Sequence, residues 1–185
     1  MLYRMRLLFV VLLVSFLHPA LFHAQQAEWS SYKNKRWGFE IEYPAGWQHD
    51  EGVNHAGIAT WPTRSNTSGE ITSIVVGGRV NQPAWGVNER RIQTLDEMFT
   101  GKPEILSKIS TPVIASKEIR MFVGVPAIYA KITYKVGRQK WTCRTVDLIA
   151  PDGVVYHLEM RSRNNEFSSI DAKFEHVLKS FRLPR

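Results

Sequence analysis

The residues able to do chemistry are few and scattered along the 185-residue chain. His49, Asp50, Glu51 and His55 form the most compact group of ligand types. Their spacing fits neither a structural zinc site nor the converging carboxylates and carbonyls of a calcium loop, so they read as solvated loop residues. His157 falls in a strand-like segment and His176 in a helical one, and the sequence around neither identifies a nucleophile or carboxylate partner. Both read as structural or exposed histidines. The single cysteine, Cys143, alternates with Trp141 and Thr145, the pattern of a small buried thiol, and one cysteine excludes an internal disulfide. Serine-nucleophile motifs, phosphate-binding glycine loops and dinucleotide fingerprints are absent. No catalytic residue, metal or cofactor is assigned, and the expectation is a protein that is not an enzyme.

Two other groups point to binding. Trp85, Arg90 and Arg91 lie in the aperiodic stretch 81–93, and tryptophan and arginine are the side chains most often found at interaction hot spots. The second group is Lys131, Lys135, Lys140 and Arg144. If Gly137-Arg138 closes a two-residue turn, Lys135 lies opposite Lys140 and Lys131 opposite Arg144, and like charges in register oppose pairing. A neighbouring carboxylate, full solvation or an acidic partner would offset that.

The elements that must position these residues are mostly strands. Phe39, Ile41 and Tyr43 alternate with Glu40 and Glu42, and Pro44, Gly46 and Trp47 end that strand in a turn. Trp29 to Tyr32 supplies a first strand, with 33–36 as the turn between them, whereas 48–54 reads as irregular. Strands are expected over 56–61, over 71–80, where Gly77-Gly78 suggests a bulge or close backbone approach, and over 112–118. Thr94-Leu95-Asp96-Glu97 is a capping box that starts a helix, interrupted at Gly101 and Pro103. From Ile128 to Met160 the pattern is a three-strand meander. Ile128, Ala130, Ile132, Tyr134 and Val136 form an apolar face and Tyr129, Lys131, Thr133 and Lys135 a partly basic one. At the second turn, a two-residue Asp152-Gly153 form is favoured over a three-residue Pro151–Gly153 loop, because it puts Tyr156, Leu158 and Met160 on the face of Trp141 and Cys143. Phe167, Ile170, Phe174, Val177, Leu178 and Phe181 then recur at helical spacing, with Ser168 as the expected cap.

The first residues carry an address. Arg4 and Arg6 precede the apolar run Leu7–Leu17, which is too short to span a bilayer, and Ala24 or Ala27 closes the segment. Residues 1–24 read as a signal peptide, with cleavage as late as 27, and 29–183 as one domain. A periplasmic or secreted protein is expected, with no membrane span after cleavage. The full chain carries a formal net charge of +7, and removing residues 1–24 leaves +5. That charge is spread out, which disfavours nucleic acid and permits a protein or anionic envelope component as partner. Oligomeric state is not legible.

Several of these segments together resemble the PsbP family, whose fold also occurs in a Ran-binding import factor. The likeness rests on Tyr32-Lys33-Asn34, Gly38-Phe39 through Tyr43-Pro44, Gly46-Trp47, Gly124-Val125-Pro126-Ala127, Asp152-Gly153 and Ser180-Phe181. It implies an α+β domain, an antiparallel β-sheet flanked by helices in a PsbP-like α/β/α sandwich, and a non-enzymatic accessory role. The alternative is a small periplasmic hydrolase or metal-dependent enzyme with a site assembled from distant residues. A concave site joining His157 to carboxylates would favour that alternative.

Overall fold

The computed structural model describes residues 28–53, 57–62, 72–80 and 110–185. Strands β1 (Trp29–Lys33) and β2 (Glu40–Pro44) pair antiparallel, with Tyr32 opposite Ile41. This is the hairpin expected from the alternation of Phe39, Ile41 and Tyr43. Seven more strands follow: β3 (Gln48–Val53), β4 (Gly57–Trp61), β5 (Ser73–Val80), β6 (Ser110–Phe122), β7 (Val125–Val136), β8 (Gln139–Ile149) and β9 (Val154–Arg163). They form one antiparallel sheet in the order β3-β4-β5-β9-β8-β7-β6. Helix α1 (Phe167–Ser180) completes the described elements.

The main core lies between α1 and the sheet. Ile170, Phe174, Val177 and Leu178 give the helix its buried face, and they meet Val146, Leu148, Tyr156, Leu158 and Met160. Each fully buried residue of this size contributes about 1.5–3 kcal/mol. Phe39, Tyr156 and Phe181 form a ring cluster with centroid separations of 5.7 to 6.0 Å, which fastens the small sheet and the end of the helix to the large sheet. The Tyr156 hydroxyl donates to the Trp37 carbonyl at 2.9 Å, and burial, with the charge of Asp152, pushes the phenol up to about 12. Past the helix, Arg182 exchanges both backbone hydrogen bonds with Glu40 and extends the small sheet. The opposite face of the large sheet buries a second cluster of Ala130, Ile132, Tyr134, Trp141 and Cys143.

Several expectations change. Residues 48–53 are a strand, not an irregular loop; Trp61 opposite Gln48 and Thr60 opposite His49 hold it in register. Gly77-Gly78 makes no bulge. Gly78 instead admits the Trp37 side chain, since a Cβ there would sit 2.7 Å from the indole. The helix begins without a side-chain cap: its N-cap is Glu166, not Ser168. The flanking helices of the sandwich reduce, among the described residues, to α1 on one face; the capping box at Thr94 lies outside them.

The second hairpin takes the three-residue form. Ala150 N donates to the Val154 carbonyl at 2.8 Å across Pro151–Gly153, with Gly153 at φ 83°. Tyr156, Leu158 and Met160 therefore pair with Leu148, Val146 and Arg144, not with the parity of Trp141 and Cys143. The favoured two-residue form fails because it assumes that one face collects the apolar side chains. Both faces of this sheet bury them.

Candidate functional site

The first hairpin of the meander has the expected register. Gly137, at φ 58°, opens the turn, Lys135 lies opposite Lys140, and Lys131 lies opposite Arg144. The stripe shares its face with Tyr129, Val146 and Leu148, so α1 lies against its inner half. Arg144 Nη2 donates to Glu175 Oε1 at 2.8 Å and Nη1 to Asp171 Oδ1. The Arg144 side chain is only 16 % exposed. Burial opposes its charge, but the two carboxylates outweigh that and raise the guanidinium pKa above its ordinary value. Lys131 sets its ammonium 4.5 Å over the Phe167 ring. Lys135 and Lys140 stand at the exposed end of the hairpin. Trp85, Arg90 and Arg91 lie outside the described residues.

A line of four ionisable side chains crosses the other face of the sheet: alternate spacing puts His157, Glu159 and Arg161 on one face of β9, and the register of β8 adds Asp147. Asp147 lies opposite His157, with Oδ1 to Nδ1 at 2.8 Å. His157 Nε2 is 3.3 Å from Glu159 Oε2, and Arg161 Nε donates to Glu159 Oε1 at 2.5 Å. The Asp147 and Glu159 side chains are 5 % and 12 % exposed. Burial works against the Glu159 carboxylate, yet His157 and Arg161 together hold its pKa down to about 2. The same partnership raises the Arg161 pKa. An imidazole donates from both nitrogens only as the imidazolium. With a carboxylate at each nitrogen, the geometry suits a charge bridge between strands β8 and β9, not a base that must present a lone pair.

The remaining histidines divide. His49 sits on exposed β3 with its Nδ1 atom 3.5 Å from the Tyr43 hydroxyl, and adjacent Asp50 and Glu51 project to alternate faces of that strand, so they do not converge. His55 lies outside the described residues. His176 stacks on Trp29 at 3.6 Å and contacts Glu42 Oε2 at 2.7 Å, tying α1 to the small sheet. This pair borders an open groove of about 620 Å³ lined by Tyr32, Lys33, Glu40, Lys179 and Arg182, a mixed-charge surface. Among the described residues, no group of three or more ligand side chains is placed to hold a metal ion. No described helix is long and apolar enough to cross a membrane.

Strand β6 is the feature that folding accounts for least. It ends the sheet order with β7 on one side, and among the described residues no strand lies on its other side. Every residue from Pro112 to Met121 is exposed. Val113, Ile114, Ile119 and Met121 show 58 %, 52 %, 47 % and 63 % of their surface. A long edge with large apolar side chains is a template for strand addition, which proteins ordinarily blunt with charges and bulges. Both devices occur here: Lys117, Glu118 and Arg120 interrupt the apolar residues, and the register shifts between Ser110 and Val113 and between Ile114 and Ser116. The length of the exposed strand was missed in sequence, where only 112–118 reads as strand.

No family model and no curated protein sequence matches the chain. Solved structures do. The cyanobacterial PsbP of Synechocystis matches with a TM-score of 0.62 at 12 % identity, over 85 % of this chain and 93 % of that one. LpqN of Mycobacterium tuberculosis, described as involved in cell envelope biogenesis, matches with a TM-score of 0.57 at 11 % identity, over 87 % and 88 %. A Bacteroides thetaiotaomicron protein matches with a TM-score of 0.58 at 9 % identity, over 85 % of this chain and 49 % of its own. At these identities the likeness is one of fold, and the fold is PsbP-like.

Proposed function

We propose that this chain is an exported, non-catalytic accessory domain that binds a protein of the cell envelope, and that strand β6 is the surface it offers. The observation that carries the reading is the exposed apolar edge of β6, with Val113, Ile114, Ile119 and Met121 open to solvent. Main-chain pairing along such an edge gives affinity, and alternate side chains give selectivity. The leader-like residues 1–24 support export, and the involvement of LpqN in cell envelope biogenesis supports the compartment. Lys135 and Lys140, with Trp85, Arg90 and Arg91 in 81–93, are proposed as a further contact for an acidic part of the partner or for an anionic envelope component. Lys131 and Arg144 are already engaged by α1.

A photo-crosslinking residue at Met121, expressed in the native envelope, tests this reading. Adducts with a defined protein at Met121, and none from Lys173 on α1, are the expected result. Equal labelling from both positions, or none from Met121, overturns it. The hydrolase alternative draws on the contacts of His157 with Asp147 and Glu159. It requires that His157→Gln abolish a turnover that the wild-type chain shows on ester, amide or phosphate probes.

A further inference from the structure

The partner that β6 fits is written in its own side chains. Its regular ladder, free of register shifts, runs from Ser116 opposite Lys131 to Phe122 opposite Val125, and Ile119 is the middle residue. Two antiparallel edges of identical chains related by a two-fold axis must place one residue opposite itself, with the neighbours on each side paired in reverse order. The sequence Ser116-Lys117-Glu118-Ile119-Arg120-Met121-Phe122 discriminates sharply among these registers. An axis at Lys117, Glu118 or Arg120 sets a charge against its own copy, which opposes pairing. An axis at Ser116 runs half the ladder into the irregularity between Ile114 and Ser116, and an axis at Met121 runs it into the turn at Val123-Gly124. An axis at Ile119 sets isoleucine against isoleucine, Glu118 against Arg120 twice over, and the aliphatic stem of Lys117 against Met121.

We infer that β6 pairs antiparallel with β6 of a second copy of this chain about a two-fold axis at Ile119, joining two seven-stranded sheets into one. This rests on the reading that β6 is the binding surface, and names its occupant. Glu118 and Arg120 are 62 % and 50 % exposed and lie 3.5 Å apart within one chain, so both charges are open to solvent on one face of β6. Arg120 also lies 3.7 Å over the Tyr129 ring, which fixes its direction on the α1 face. The new ladder is about 24 Å long. A single strand pair of that length buries less than the roughly 800 Å² per partner of a standard stable interface, so the dimer exchanges with monomer.

The test uses the mature chain, without residues 1–24, in sedimentation velocity over a concentration series, with Glu118→Arg, the swap Glu118→Arg/Arg120→Glu, and Ile119→Cys. The wild type is expected to show a concentration-dependent dimer. Glu118→Arg turns two cross-axis attractions into repulsions and weakens that dimer about tenfold, and the swap restores it. Ile119→Cys, with Cys143 buried, is captured as a covalent dimer by a short bis-maleimide, which adds one cysteine thiol at each end. A dimer indifferent to Glu118→Arg overturns the inference. So does a monomer, and crosslinking from position 119 in the native envelope then separates two cases. Capture of a different protein leaves the binding reading standing, whereas no capture, or capture of residues 81–109 of the same chain, removes both.

Discussion

Asp147 and His157 face one another across β8 and β9, with Asp147 Oδ1 2.8 Å from His157 Nδ1, and Glu159 lies beyond the other ring nitrogen at 3.3 Å. One imidazole thus spans two carboxylates that are both largely buried. A buried carboxylate is tolerated only when its charge is answered, and here Arg161 and His157 answer that of Glu159. The line holds the two central strands together at a place where the opposite face is core.

The acid stability of the domain should follow Glu159. Its folded pKa of about 2 lies below the ordinary 4.5, so its contribution is complete above pH 4.5 and is lost as the pH falls towards 2. Glu159→Gln is expected to cost on the order of 2–3 kcal/mol at pH 7. In urea unfolding, the gap between wild type and variant should narrow steadily below pH 4.5. A gap that stays constant down to pH 2.5 would mean that the carboxylate charge plays no part.

The basic stripe makes a different prediction, because the helix answers its inner half. Arg144→Ala leaves Asp171 and Glu175 facing a partly buried gap and should cost about 2 kcal/mol. Lys131→Ala, which loses only a ring contact, should cost about 0.5–1 kcal/mol. A double-mutant cycle between Arg144→Ala and Glu175→Gln should return a coupling near 1 kcal/mol. A cycle that closes at zero would show that the two side chains are not partners in solution.

The pattern of residues gave away more of the fold than of the site. Alternation at Phe39, Ile41 and Tyr43 and helical spacing from Ile170 to Phe181 read correctly because each element presents one face to one core. The register of β9 did not, since Trp141 and Cys143 belong to a second buried layer, and nothing local says which layer Tyr156 joins. That single residue of slip also hid the ionic line. With Asp152-Gly153 as a two-residue turn, Asp147 falls opposite Leu158, and the three-residue loop moves it opposite His157. Arg144 was legible as a charged strand position, but its partners Asp171 and Glu175 lie 27 and 31 residues away, beyond any spacing argument.

The turn itself can be tested. Gly153 adopts φ 83°, and a Cβ there would meet nothing within 4 Å, so Gly153→Ala carries a purely backbone cost of about 1–2 kcal/mol. Gly153→Asn, which tolerates the left-handed region, should recover about half of it. If both variants unfold at the wild-type urea midpoint, the turn has another conformation in solution and the register of β9 must be redrawn.

Strand β6 separates stability from binding. Met121 is 63 % exposed and pairs only with Pro126 at the end of the ladder, so Met121→Lys removes little buried surface and should change the unfolding free energy by no more than about 0.5 kcal/mol. The same change places an ammonium on the apolar edge, and it should sharply reduce any association made through β6. Thermal unfolding at low protein concentration, beside crosslinking yield in the native envelope, reads the two effects independently. Unchanged stability with lost crosslinking identifies an edge kept apolar for a partner. Lost stability at equal dilution would instead make Met121 part of the core of its own chain, and the apolar residues of β6 would need no partner to explain them.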